Sequence, residues 1–185
     1  MESTETLVHE HDIIKRAISL LEKANSRLKA GDDSVASVYP KLVDFIRRFA
    51  DESHHGKEED ILFQLLVERG MPRENSPLEI MFTGHEEGRG YVREIDKASS
   101  RFLNGDKSAR ADIIANSAGY ARLLKDHIYK EDEVLYPMAD KILSSDDQRK
   151  LEAEFHQVEE RFGRERQLYY EDLVLELERE LRAPG

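Results

Sequence analysis

The chain contains no cysteine. That absence excludes disulfides, thiolate zinc sites, cysteine-held iron–sulfur clusters and cysteine nucleophiles together, so any transition metal must be held by nitrogen and oxygen. Long apolar runs are missing too. No stretch approaches the roughly 20 apolar residues that a membrane-spanning helix needs, and the opening "MESTETLVHEHD" lacks a basic region followed by an apolar one. A cytoplasmic location and no membrane partner are the resulting expectations. Positive charge is outnumbered: 28 Lys and Arg stand against 39 Asp and Glu, a formal net charge of -11. A nucleic-acid backbone would be repelled by that excess. Runs alternating at period two are scarce, which leaves little from which to build a sheet.

What is present is apolar spacing of three and four along nearly the whole chain, the period of helices with one buried face. At 185 residues the chain suits one domain with a substantial core. Helix 1 is predicted from Thr4 to Lys29, ending at Gly31. Helix 2 is predicted from near Pro40 to Arg69. Helix 3 opens at "SPLE", with Ser76 as cap, Pro77 in the first turn and Glu79 closing a capping box. Helix 4 should span Ser108 to Leu143 with a bend at Pro137, which has no backbone donor. Short connections make these an up-down-up-down four-helix bundle. A capping box at "SDDQ", from Ser145, starts a fifth helix with stripe Leu151, Phe155, Val158 and Phe162. Gly163 breaks it, and a sixth carries Tyr170, Leu173, Val174, Leu177 and Leu181 on one face. The expected fold is therefore all-α: a bundle over residues 1–143 and a two-helix extension over 144–185. The extension would pack on the bundle or, in a homodimer, on another copy.

The seven histidines separate by the company they keep on a helical face. His11 lies among Leu7, Val8, Ile14 and Ile18; His54 among Ile46, Ala50, Ile61, Leu62 and Leu65. His85 follows Met81 and Phe82, and His127 lies among Leu123, Leu124, Val134, Leu135 and Met138. His54 and His127 each have a carboxylate one turn later, Glu58 and Glu131. His156 and His9 fall on polar faces and read as surface. His55 has Arg48, Asp51 and Glu52 upstream, which places it and Glu59 nearer the rim. A lone inward histidine is most often a hydrogen-bonded core residue. An inward carboxylate is different: burying its charge costs several kcal/mol unless it is paired, protonated or bound to a metal. The inward stripes show no obvious Lys or Arg to neutralise these two, which weighs against a metal-free helical adaptor. Four inward histidines and two inward carboxylates are best explained by a shared cation.

Imidazole and carboxylate without sulfur suit iron, manganese or zinc. Six converging groups exceed the four that a structural zinc takes, so two ions fit better. If Glu58 and Glu131 bridge them, one ion takes His11 and His54 and the other takes His85 and His127. An oxide or hydroxide bridge then still leaves a position for a small molecule.

These residues carry a resemblance. "EHDII", "HHGKEEDILF", "GHEEGR" and "HIYKEDEVLYP", in that order over about residues 7 to 143, resemble the hemerythrin-like proteins, or HHE cation-binding domain. The resemblance implies a non-haem di-iron centre with His11, His54, Glu58, His85, His127 and Glu131 as ligands, zinc or manganese being possible substitutes. Oxygen-carrying members have another histidine one turn along helix 3, where this chain has Arg89. It therefore resembles the six-ligand branch, with His55 as a candidate to fill the gap. Gly84, Gly88 and Gly90 each cost a helix about 1 kcal/mol relative to alanine; close packing and room for a diatomic ligand beside Gly88 explain them equally. The expected function is binding of oxygen, nitric oxide or peroxide for sensing, storage or stress defence, with weak peroxidase- or oxidase-like activity allowed. The alternatives are a di-iron enzyme that decomposes peroxide or reduces nitric oxide, and an iron storage or repair protein. No acid–base pair stands out beyond the ligands, which favours binding over turnover. A redox partner could dock through the C-terminal helices.

Overall fold

The computed structural model describes residues 4–182, among which helix follows helix with no strand. α1 is Thr4–Lys29 and α3 is Pro77–Leu103. α2 runs unbroken over 38–68 and α4 over 110–142. Together they form the expected bundle, and α5, Ser145–Phe162, and α6, Arg164–Glu180, follow it.

The helix starts show how local chemistry sets the boundaries. A short 3-10 turn, Asp33–Ser37, capped by Asp32 onto the Ser34 N–H, runs directly into α2, which starts at Val38 with Pro40 in its first turn, as expected. Ser76 caps α3 through the Leu78 N–H, but Glu79 accepts from the Asn75 N–H, one residue before the expected box. The box of α5 is likewise shifted by one: Ser144 and Asp147 close it, because Ser144 is the residue in extended conformation. Asp147 also accepts from Arg69 Nε and Nη at 3.0 and 2.6 Å, a forked bond tying the start of α5 to the end of α2.

The larger departure from expectation is inside α2 and α4. Residues Ile46–His55 and Glu58–Leu62 of α2, and Glu131–Leu135 of α4, are π-helical. The wide turn in α4 ends just before Pro137, where the chain lacks a backbone donor. π-turns inside α-helices occur disproportionately at functional sites.

The apolar core falls into two clusters. One holds Ile14, Ala50, Val92 and Leu124 together with Tyr170, Leu173, Val174, Leu177 and Leu181 of the extension. The other holds Leu7, Leu62, Met81 and Leu135 with Leu151 and Phe155 of α5. In α1, α2 and α3 the residues between the two clusters include His11, His54 and His85, and in α4 they include Glu131, with His127 one turn before it beside Ile128. The extension lies against the bundle through both clusters. Val158 and Phe162 of the expected α5 stripe are only partly covered.

Candidate metal centre

The polar layer between the clusters is built from below by helical spacing. Each of the six residues singled out is at most 4% exposed. Glu131 spans the layer: Oε2 lies 3.3 Å from His11 Nε2, while Oε1 lies 2.9 Å from His127 Nε2 and 3.7 Å from His85 Nε2. Glu58 turns Oε2 toward His54 Nε2 at 3.6 Å and His85 Nε2 at 3.4 Å. Its Oε1 instead accepts a 2.6 Å hydrogen bond from the buried Tyr136 hydroxyl. The imidazoles form two pairs, His11 with His54 and His85 with His127, each with ring centroids 4.6 Å apart. Ligand atoms of His11, His54, Glu58 and Glu131 lie within 4.8 Å of one another, as do those of His85, His127 and Glu131.

The decisive observation is what these atoms lack. His11 Nε2, His85 Nε2, His127 Nε2, Glu58 Oε2 and Glu131 Oε1 are buried without a hydrogen-bond partner. A buried acceptor left unmet costs about 1–3 kcal/mol, and five meeting in one place fit a cation. No Lys or Arg pairs with Glu58 or Glu131 among the described residues. Burial and the neighbouring Glu131 push the Glu58 carboxyl well up. Burial also works against the charge on Glu131, but His127, His11 and His85 outweigh it and hold that carboxyl well down.

Behind the ring nitrogens stands a second row. His11 Nδ1 donates to Asp132 at 2.7 Å, and Asp132 also accepts from Lys15. His54 Nδ1 donates to Glu10 at 2.9 Å, and Glu10 accepts from Lys57 Nζ at 2.5 Å. His85 Nδ1 donates to Glu59 at 2.6 Å, and Glu59 also accepts from Arg89. A carboxylate on Nδ1 fixes the tautomer and aims the Nε2 lone pair at the centre. Burial disfavours the charge on His11, but Asp132 and Glu131 prevail and raise it to about 8. His127 is seated by a different device: its ring lies so close to Gly84 that a Cβ there would come within 2.5 Å of Nδ1.

Sequence reasoning missed Lys57 and Glu10. Lys57 is fully buried, between Glu10 and the ring of Phe155 with Glu159 at 3.3 Å. It neutralises Glu10, not the central acids. Helical periodicity gives no hint of it, because its cover comes from α5. His55 is also misplaced: it is 7% exposed, not at the rim. The upstream charge read as a surface signal, Asp51, is its hydrogen-bond partner at 3.1 Å. An inward Asp–His pair therefore does exist. Burial, reinforced by the neighbouring His85, pushes the His55 ring down to about 3. Arg89 is half-buried and bonds Asp51 and Glu59. His9 and His156 are exposed, as expected.

Besides a cavity at Gly84 and His127, a second touches this layer from outside. It has a volume of about 180 Å³ and reaches His85 and His55 past Gly88, Val92 and Tyr120. The two explanations for the glycines thus divide. Gly84 permits close packing, whereas a Cβ on Gly88 would make ordinary contact with Tyr120 at 3.6 Å, so its missing side chain keeps the cavity open.

A family model described as the hemerythrin HHE cation-binding domain matches residues 2–139. The chain belongs to that family. Membership makes it a cation-binding, metal-binding helical protein, in keeping with the clustered His and Glu. Among its described residues, no helix of this hemerythrin-family chain is long and apolar enough to cross a membrane. Similar proteins include uncharacterized ones from Mycobacterium bovis and from two strains of Mycobacterium tuberculosis, each 28% identical over 178 residues. The match covers 96% of this chain and 69% of theirs.

Proposed function

We propose that this chain is a non-haem di-iron protein that binds oxygen, nitric oxide or peroxide for sensing, storage or defence. The five orphaned nitrogen and oxygen atoms facing one another support the metal, and the two histidine pairs on either side of Glu131 support two ions. His11 and His54 would serve one, His85 and His127 the other, with Glu131 across both through its separate oxygens. Glu58 would offer Oε2 between His54 and His85 while Tyr136 holds its other oxygen. When bound, iron supplies the electrons and the open position that a small oxidising ligand needs.

The protein's own part is positioning and access. Asp132, Glu10 and Glu59 hold three rings in the ligating tautomer. The cavity beside His85 admits a small molecule between apolar walls, and the cover of α5 over Lys57 keeps the opposite flank dry.

Metal analysis of protein expressed with ample iron should find two irons per chain, with near-ultraviolet absorption from an oxo-bridged pair. A stable nitric oxide or oxygen adduct without turnover supports the binding role. Peroxide or nitric oxide turnover well above that of free iron would replace it with an enzyme. Protein that takes up no metal, and gains no thermal stability when iron is added, would end the reading.

A further inference from the structure

The cavity beside His85 is larger than a diatomic ligand needs. It measures about 180 Å³, and an apolar cavity of about 150 Å³ holds a whole benzene molecule. Its walls are buried apolar side chains, Ile46, Val92 and Leu124 with the ring of Tyr120, and it reaches inward to His55 and His85.

Two buried polar groups in this lining lack partners. The His55 ring, 7% exposed, donates from Nδ1 to Asp51 at 3.1 Å, which leaves the Nε2 lone pair with nothing from which to accept. Tyr120 is 3% exposed, and its hydroxyl likewise has no hydrogen-bond partner among the described residues. Buried polar groups are ordinarily satisfied, so an unmet acceptor and an unmet donor in one small cavity match a ligand that carries both functions.

The stacking of the rings says where such a ligand would lie. His55 and His85 have centroids 3.8 Å apart and planes 16° from parallel, so an ion in the plane of His85 lies outside that of His55. A His55 nitrogen is still within 4.8 Å of a His85 nitrogen and of a Glu58 oxygen. His55 thus stands beside the inward donors, in reach of a proton on a molecule that lies against them. Oxygen and nitric oxide carry no such proton and no carbon to cover the walls; an organic hydroperoxide, R–O–O–H, carries both. Charge at the mouth does not call for an anion either. Arg47 is paired with Asp96 and Arg89 with Asp51, Glu59 and Glu86, while Arg93 is exposed.

We propose that the cavity is a binding site for small organic hydroperoxides. An apolar group of about four to six carbons, the size of benzene or less, lies against Ile46, Val92 and Leu124, the O–H donates to His55 Nε2, and a peroxide oxygen accepts from the Tyr120 hydroxyl. The inference narrows the peroxide of the reading above and rests on it, but it is tested apart from iron.

The probe is tert-butyl hydroperoxide, titrated into the zinc-loaded protein, whose metal has no redox chemistry, and followed by calorimetry and by the methyl NMR signals of Val92 and Leu124. It should bind at least about tenfold more tightly than hydrogen peroxide, because each carbon buried against the walls is favourable, and should move both methyl signals. Gly88→Leu, which fills the cavity, should abolish that advantage. Tyr120→Phe, which removes only the hydroxyl, and His55→Leu should each weaken binding about 2–10-fold, the ordinary worth of one hydrogen bond. His55→Gln, which restores an acceptor oxygen, should recover part of the loss. Pivalate, the same tert-butyl group on a carboxylate, should bind more weakly. With two zincs bound per chain, equal binding of the two peroxides, a Gly88→Leu variant that keeps the advantage, or pivalate binding more tightly than the hydroperoxide would overturn the proposal and leave the dinuclear centre standing. A chain that takes up no zinc would end the dinuclear reading. In that case tert-butanol added to the metal-free chain supports the apolar site if it shifts Val92 and Leu124 in wild type but not in Gly88→Leu, and overturns it if it shifts neither.

Discussion

The two flanks of the polar layer are built on opposite plans. On the His11 and His54 flank, space is filled by charge. Lys57 and Glu10 are buried together, Phe155 of α5 lies over the lysine, and Tyr136 stacks on His11 at 5.6 Å. On the His85 and His127 flank, space is made by omission. Gly84 lets a ring approach its backbone, and Gly88 leaves a cavity that ends at His85 and His55. One flank is sealed and held by charge-assisted bonds, the other is open and governed by side-chain size. An asymmetric centre can thus stand in a bundle whose four helices contribute similar motifs, because the helices differ in what backs each ligand.

The largest effect should come from the residue common to both flanks. Glu131→Ala removes the oxygens facing His11 and His127 at once, so metal content should fall from two per chain to near none. A variant retaining one ion would show that the flanks load independently. Next comes Lys57→Met, which leaves Glu10 buried without its counter-charge; such losses run about 3–5 kcal/mol and should show as a large drop in the denaturation midpoint. Arg89→Met on the open flank should cost far less, since Arg89 is 27% exposed and its pairs are partly screened. Equal losses would erase the distinction.

Gly84→Ala should destabilise by about 1–3 kcal/mol, the usual range for overpacking, and should weaken metal binding by displacing His127. Gly88→Ala should instead leave stability unchanged or raise it by up to about 1 kcal/mol, the helix-propensity gain of alanine over glycine, because its Cβ meets only ordinary contacts. Gly88→Leu should fill the cavity and slow ligand entry, as stopped-flow mixing with nitric oxide would show.

The smallest effects separate the flanks by pH in the metal-free chain. His11 is raised from 6.5 to about 8, so its contribution to stability is complete below 6.5 and is lost as pH climbs through 8. His55 is lowered from 6.5 to about 3, so its contribution is complete above 6.5 and is lost as pH falls toward 3. Each is worth up to about 1.4 kcal/mol per pH unit within its window. Denaturant midpoints measured across pH should therefore decline on both sides of about 6.5, by the linkage of protonation to folding. His11→Gln should flatten the alkaline limb alone, and His55→Gln the acid limb alone.

The inward facing of His11, His54, Glu58, His85, His127 and Glu131 was legible because an apolar stripe with period 3.6 says which way a side chain points. Helix order was legible from caps and glycines, with errors of one residue where two serines compete, as at Ser144 and Ser145. His55, Lys57 and Glu10 were not legible, for three different physical reasons. π-winding changes the angular step between residues without changing composition, so an α-helical wheel turns His55 the wrong way. A lysine in a polar stretch looks solvated until another helix covers it, and the cover of Lys57 is nearly 100 residues away at Phe155. Glu10 gains its partners, His54 and Lys57, only across the interface between α1 and α2.

By itself, then, the amino-acid order determined that this chain is an all-helical bundle with nitrogen and oxygen donors turned inward, because helix formation and facing are local consequences of residue spacing. Tertiary structure decided which donors share an oxygen, which carboxylate stands behind each ring, and which flank is open. Those depend on distances of a few ångströms between residues far apart in the chain, and burial gives such contacts their strength by removing the water that would otherwise screen them.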